Sequence, residues 1–197
     1  MQLVKVLIAL ATLAASWRGA TRRREAEAGA QAGENQVAVT GTYQNEKYAY
    51  SVQVPAGLRA YRMKAPAPNH GIDVHAPGNE TDVLWVDGSF DAADYGSAET
   101  CAKRHAEFYK GKYGLRQLVV SRRVLSGLDA REVLLGPSAA AAPRSINYVT
   151  LIVAFRRVGS DKTPVIYSID VLASTKDSAL VKAFPALVDS FRTLPWK

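Results

Sequence analysis

Residues 146–173, INYVTLIVAFRRVGSDKTPVIYSIDVLA, decide the fold class. Residues 146–157 and 164–173 are dense in Val, Ile, Leu, Tyr and Phe, and Gly159, Ser160 and Asp161 between them favour a turn. The pair therefore reads as two long strands of one antiparallel sheet. At period two, Val149, Leu151, Val153 and Phe155 share one face of the first strand. The other face, Tyr148, Thr150, Ile152 and Ala154, is only half apolar. That asymmetry suits a central strand with helices over one face and the other partly available for contact.

Toward the C-terminus, Ser174 and Asp177 stand at capping-box spacing and announce a helix. Leu180, Phe184, Leu187, Val188 and Phe191 supply its apolar stripe, and Pro185, which lacks an N–H, is expected to kink or restart it. Toward the N-terminus, residues 136–144 place four alanines between two prolines and read as a loop. Residues 118–125 and 131–135 flank Ser126-Gly127-Leu128-Asp129 as a hairpin. Residues 97–112 switch to helical spacing, with Ser97 as N-cap and Glu99 in the first turn. Ala98, Cys101, His105, Phe108 and Tyr109 form the stripe, and Lys103, Arg104, Glu107 and Lys110 the solvent side.

Before the Pro-rich stretch 65–68, YAYSVQV (48–54) alternates cleanly, with Tyr48, Tyr50, Val52 and Val54 on one parity and Pro55 ending the strand. Asn45, Glu46 and Lys47 make a turn just upstream and suggest a hairpin at the start of the domain. Two short strands, 71–76 and 82–86, are split by Pro77, Gly78 and Asn79. There are no internal repeats. The expectation is a single α+β domain over 41–197, a curved antiparallel sheet with helices packed on its face.

Ahead of the domain, residues 1–20 carry Lys5, the ten-residue apolar run 6–15, and small residues at Ala14, Ala15 and Ala20, the pattern of a cleaved signal peptide. The run is too short to span a bilayer. Residues 21–40 read as a flexible leader of Ala, Glu, Gln and Gly behind Arg22, Arg23 and Arg24. The chain has 25 Lys and Arg against 18 Asp and Glu, a net charge of +7. Without Lys5 and Arg18 it is +5, and without the three arginines as well it is +2. A near-balanced body with dispersed basic residues argues against a nucleic-acid partner. The expected setting is periplasmic or secreted, with no stable membrane insertion after cleavage.

One cysteine in 197 residues excludes an intramolecular disulfide and a multi-cysteine zinc site. Cys101 and His105 are one helical turn apart, the start of a thiol nucleophile, but they share the stripe that faces the core, where cysteine behaves as a small apolar residue. His70 and His75 are an odd number apart on one extended segment, so they point to opposite faces; His75 shares its face with Asp73, two ligands without a third. Asp87, Asp91 and Asp94 lie in a loop, DGSFDAAD, whose spacing is not that of an EF-hand. No Gly-x-Ser-x-Gly, Walker A, dinucleotide or His-Glu-x-x-His motif is present. No cofactor and no metal site is expected. Aromatic residues near acidic ones remain: Trp85, Phe90 and Tyr95 with Asp87, Asp91 and Asp94, and Tyr43, Tyr48 and Tyr61 near the domain start. Such residues favour protein interfaces.

The stretch NEKYAYSVQVPAGL, the hairpin at Ser126 to Asp129, the two long strands and the closing VDSFRTLPW together resemble the Mog1/PsbP-like fold, over roughly 41–195. The resemblance rests on element order and on the patterns Tyr-x-Tyr-x-Val-x-Val-Pro and Val-Asp-Ser-Phe. HGIDVHAPGNETDVLWVDGSFDA also resembles uncharacterised exported bacterial proteins. What the fold resemblance implies is a non-enzymatic protein-binding module; members of that group bind a small GTPase or dock on a photosystem. The expected function is thus an exported protein-binding module, an immunity or inhibitor protein against an exported toxin being one form of it. The partner surface would be Trp85, Asp87, Phe90, Asp91, Asp94 and Tyr95. The alternatives are a thiol enzyme using Cys101 and His105, and a carrier of a small apolar ligand between sheet and helices.

Overall fold

In a computed structural model, residues 36–63, 70–138 and 145–197 are described; the signal segment, most of the leader, the Pro-rich stretch and residues 139–144 lie outside them. Residues 37–197 cluster as one unit. The elements run β1 (Gln36–Val39), β2 (Thr42–Asn45), β3 (Tyr50–Gln53), β4 (Arg59–Met63), β5 (Gly71–Ala76), β6 (Asn79–Phe90), α1 (Ala98–Tyr113), β7 (Leu115–Leu125), β8 (Leu128–Pro137), β9 (Tyr148–Val158), β10 (Thr163–Ala173), α2 (Ala179–Ser190) and β11 (Arg192–Thr193). β1 takes its residues from the end of the stretch read as a leader.

The main sheet has the order β1-β4-β5-β6-β10-β9-β8-β7, and β11-β3-β2 form a second, small sheet. Every pairing from β4 to β7 is antiparallel. The chain leaves β6, crosses through α1 to the far edge, and meanders back from β7 until β10 meets β6 in the centre. The turn between β7 and β8 is a two-residue hairpin with Ser126 and Gly127 both at positive φ, 51° and 82°. This mirror-image turn matches the strand twist.

The two faces of the sheet carry different covers. On one, Val74, Leu84, Val86, Ile152, Ala154, Tyr167 and Ile169 pack against Tyr50 and Val52 of β3 and against Leu180, Phe184 and Leu187 of α2, with Phe191 just beyond it. On the other, Val133, Leu135, Val149, Leu151, Val153 and Leu172 lie under Cys101, Ala102, Ala106 and Tyr109 of α1. Each large apolar side chain buried in this way contributes ~2 kcal/mol.

Several expectations need correction. The half-apolar face of β9 is not open: Ile152 and Ala154 are fully buried beneath the small sheet and α2. The buried stripe of α1 runs through Ala102 and Ala106, whose small side chains let the helix lie close to the sheet, and Phe108 points outward, 49% exposed. The cap of α2 is Ser178, whose hydroxyl accepts from the Leu180 amide; the Ser174 amide instead donates to buried Asp82 at 2.8 Å. The helix continues through Pro185. β6 extends to Phe90, so Asp87 and Phe90 are strand residues rather than members of a loop.

Candidate functional site

α1 packs on β7, β8 and β9. Toward β6 the packing of α1 on this face reaches its margin, where Val83 and Trp85 lie against the α1 cluster, and the side chains of this face on β5 and β6 are mostly half-buried where their neighbours in sequence are buried. The strand register aligns what stands there. Asp73, Trp85, Asp170 and Leu151 are successive partners across β5, β6, β10 and β9, and Gly71, Asp87, Ser168 and Val153 form a parallel row two residues along. On β4, Tyr61 pairs with Asp73, and Arg59 with His75. One face thus carries Tyr61, Asp73, His75, Trp85, Asp87, Ser168 and Asp170, because alternation along each strand sends them the same way.

The rim of α1 closes over the inner end of this face. The Tyr109 hydroxyl donates to Asp170 Oδ2 at 2.8 Å, and His105 Nδ1 lies 4.0 Å from the same oxygen. Asp170 Oδ1 is buried without a hydrogen-bond partner, and the residue is 4% exposed. Burial pushes its carboxyl up to about 6, Asp87 adding to the rise while His105 and Tyr109 oppose it. Asp73 and Asp87 are also raised, each first by burial; each is opposed by histidine, His75 for Asp73 and His70 and His105 for Asp87. The charge of Asp87 raises Asp73 further. A carboxylate held in low dielectric is the commonest cause of such a rise.

Cys101, His105 and Asp170 follow the order of a nucleophile, base and orienting acid, with Cys101 Sγ 3.8 Å from His105 Nε2. The chemistry of a thiol nucleophile is not supported. Cys101 has no exposed surface, and burial, with the charges of Asp170 and Asp91 behind it, pushes its thiol up to about 12. A nucleophilic cysteine needs the opposite shift and access.

The six residues expected at a partner surface are distributed over three places. Trp85 and Asp87 share the face just described. Phe90 points to the opposite face, 42% exposed, edge-on to Tyr48 at 5.2 Å and to Trp196 at 6.5 Å. Asp91, Asp94 and Tyr95 form the turn into α1. There the Asp91 carboxylate accepts from the Tyr95 and Gly96 amides, both at 2.9 Å, Tyr95 packs on the α1 core, and Asp94 is exposed at a positive φ of 51°. Tyr43 and Tyr48 are core residues. His70 stacks on Tyr48, away from His75. No three His, Cys, Asp or Glu side chains among the described residues converge as a metal site.

Tyr61 was among the aromatic residues noted in the sequence, whereas Asp170 and Ser168 were not singled out and Tyr109 was read only as part of the helix stripe. A signal for two of them was present: in VIYSIDVLA, Ser168 and Asp170 interrupt an otherwise apolar parity shared with Ile166 and Leu172. A second concavity, about 390 Å³, lies between α1 and the β7–β8 hairpin and is lined by Ala102, Lys103, Ala106, Val120, Arg122 and Val133. Charges at its mouth are already matched, Arg131 with Glu99 and Asp129, and Arg122 with Asp129.

Among solved structures, the chain is similar to cyanobacterial PsbP (CyanoP) from Synechocystis sp. PCC 6803, with a TM-score of 0.52 over 81% of this chain and 92% of that one, at 13% identity. The fold is PsbP-like. This is the Mog1/PsbP-like architecture expected from the element order. Looser likenesses are to LpqN, involved in cell envelope biogenesis of Mycobacterium tuberculosis, with a TM-score of 0.45, 13% identity, and 81% of this chain and 91% of that one covered. A structure from Bacteroides thetaiotaomicron VPI-5482 gives 0.43 and 9% identity, over 78% of this chain and 48% of that one. No family model and no curated protein matches the sequence.

Proposed function

We propose that the chain is an exported, non-enzymatic module that binds another protein through the face of β4, β5 and β6 beside α1, with the turn into α1 at its rim. The observation that carries this reading is the row of half-buried Asp73 and Trp85 beside buried Asp170, with Asp87 alongside, an aromatic residue set among carboxylates on the sheet. Interfaces concentrate their energy in such aromatic anchors. The buried, protonated thiol of Cys101 speaks against the enzymatic alternative. Both faces of the sheet centre are filled by side chains, and the concavity between α1 and the β7–β8 hairpin is rimmed by paired charges, which disfavours a carrier of apolar ligands. Export rests on the signal-like residues 1–20. A finer form of the proposal is an immunity or inhibitor protein toward an exported toxin.

The test is capture from the native cell envelope with tagged protein, wild type against Trp85→Ala and against Val124→Ala on the distant edge strand β7. A discrete partner retained by wild type and Val124→Ala but lost with Trp85→Ala supports the proposal. A partner held equally by all three places the interface elsewhere.

A further inference from the structure

Among the described residues, Asp129 pairs with Arg122 and Arg131, Glu132 with Arg123, Glu99 with Arg131 and Glu107 with Lys110, while buried Asp82 and Asp91 stand singly without a basic partner. This face differs in gathering three such carboxylates on one side of the sheet. Asp73, Asp87 and Asp170 stand on three adjacent strands, and no Lys or Arg among the described residues comes within ion-pair distance of any of them. This holds in a body with more basic than acidic residues. The groups that face them are His75 on β5, Cys101, His105 and Tyr109 on α1, Trp85 and Ser168 on the strands, and exposed Arg59 at the rim opposite His75, with His70 acting on Asp87 from the far side. Burying carboxylates without a cation is costly. The cost is sharpest at Asp170, 4% exposed and paired in register with Trp85, with Oδ1 unpartnered and the charge of Asp87 acting on it.

We infer that this face receives a Lys or Arg side chain of the partner protein, its cationic head held between Asp73 and Asp87 against the Trp85 ring, with Asp170 behind. The inference rests on the partner-binding reading and names its chemistry. Register places Trp85 directly between Asp73 and Asp170, so a cation over the indole is flanked by carboxylate on both sides. A cation over tryptophan gains from the ring quadrupole, and the adjacent carboxylates add charge-assisted hydrogen bonds. A divalent metal fits less well, because no three ligating groups converge among the described residues.

The experiment is a titration of the isotope-labelled protein with acetyl-Gly-Arg-Gly-amide and acetyl-Gly-Lys-Gly-amide, with the Glu and Leu analogues as comparators, followed through the amides of Asp73, Trp85 and Asp87 and the Trp85 indole. Saturable shifts confined to the basic peptides, and weakened tenfold or more in the Asp73→Asn/Asp87→Asn variant, support the inference. Unchanged signals from α2 in that variant check that it is folded. No saturable shift with either basic peptide, equal shifts with the Glu or Leu peptide, or undiminished binding by the double variant overturns it, as do the same shifts produced by Mg²⁺ or Ca²⁺ alone. Envelope capture with the double variant separates the two claims. A partner retained at wild-type strength overturns this inference and leaves partner binding standing. Basic peptides that bind where no partner is captured support the site chemistry and remove the partner-binding reading.

Discussion

Tyr109 on α1 donates its hydroxyl proton to Oδ2 of Asp170 on β10 at 2.8 Å, and both residues are buried. This bond joins the helix to the sheet at the margin of the packing of α1 on one face. It is the hydrogen bond the carboxylate receives from α1, and the Ser168 hydroxyl on its own strand favours the carboxylate as well. Tyr109→Phe should therefore destabilise the fold by ~1–3 kcal/mol at pH 7.5, the cost of leaving a buried acceptor unsatisfied. Urea unfolding measures it, and a change near zero would mean that water replaces the hydroxyl.

The same carboxylate gives the fold a pH dependence with a defined sign. Its folded-state value is raised from 3.8 to about 6, so the folded state binds the proton more tightly than the unfolded one. The resulting stability is fully present below the unfolded value and is lost as pH rises through about 6. Asp73 and Asp87 are raised as well and add to the same trend. Unfolding free energy should fall between about pH 4 and about pH 6 and level off above it, with Asp170 alone contributing up to ~3 kcal/mol. Asp170→Asn should flatten that slope in a series of urea titrations; a slope unchanged in the variant would assign the dependence to other groups.

Cys101 should resist alkylation. With no exposed surface and a thiol pushed up to about 12, native protein at pH 8 is expected to react with iodoacetamide only at its rate of opening, and unfolded protein at least a hundredfold faster, by the rough ratio of thiolate populations and access. Rapid labelling of the folded chain would revive a catalytic role for the Cys101–His105 pair.

Two glycines should respond oppositely to alanine. A Cβ on Gly88 would meet Tyr48 Cβ and Tyr50 Cε1 at 2.8 Å, and both tyrosines are buried, so Gly88→Ala should cost ~1–3 kcal/mol by overpacking. Gly111 lies inside α1 with nothing near its missing Cβ, so Gly111→Ala should stabilise by ~0.5–1 kcal/mol. Thermal unfolding of the two variants checks both signs.

Much of the architecture was legible because it is local. Alternation in β3, β9 and β10, the Ser126-Gly127 turn and the Ser97 cap depend on neighbours in sequence. What escaped depends on partners far along the chain. The cover over Ile152 and Ala154 comes from β3 and α2, and the length of β6 is set by its pairing with β10 up to Phe90. The candidate face was partly legible, in Trp85 and Asp87. Asp73 comes beside Trp85 through the neighbouring β5–β6 pairing, whereas Asp170 and Tyr109 are brought there only by the crossover that places β10 against β6. Alanine spacing on α1 could have warned that the close-packed stripe ran through Ala102 and Ala106 rather than Phe108.

The central claim, that the face of β4, β5 and β6 beside α1 is where a partner sits, is tested most directly by a photo-crosslinking scan in living cells. A photoreactive residue placed in turn at Tyr61, Trp85 and Tyr95, and for comparison at Val119 and Val124 on β7, samples this face and the far edge. The account predicts one discrete adduct from the first three positions and none from β7, diminished when Asp87 is replaced by Lys. Adducts that arise from β7 and not from Trp85 would contradict it.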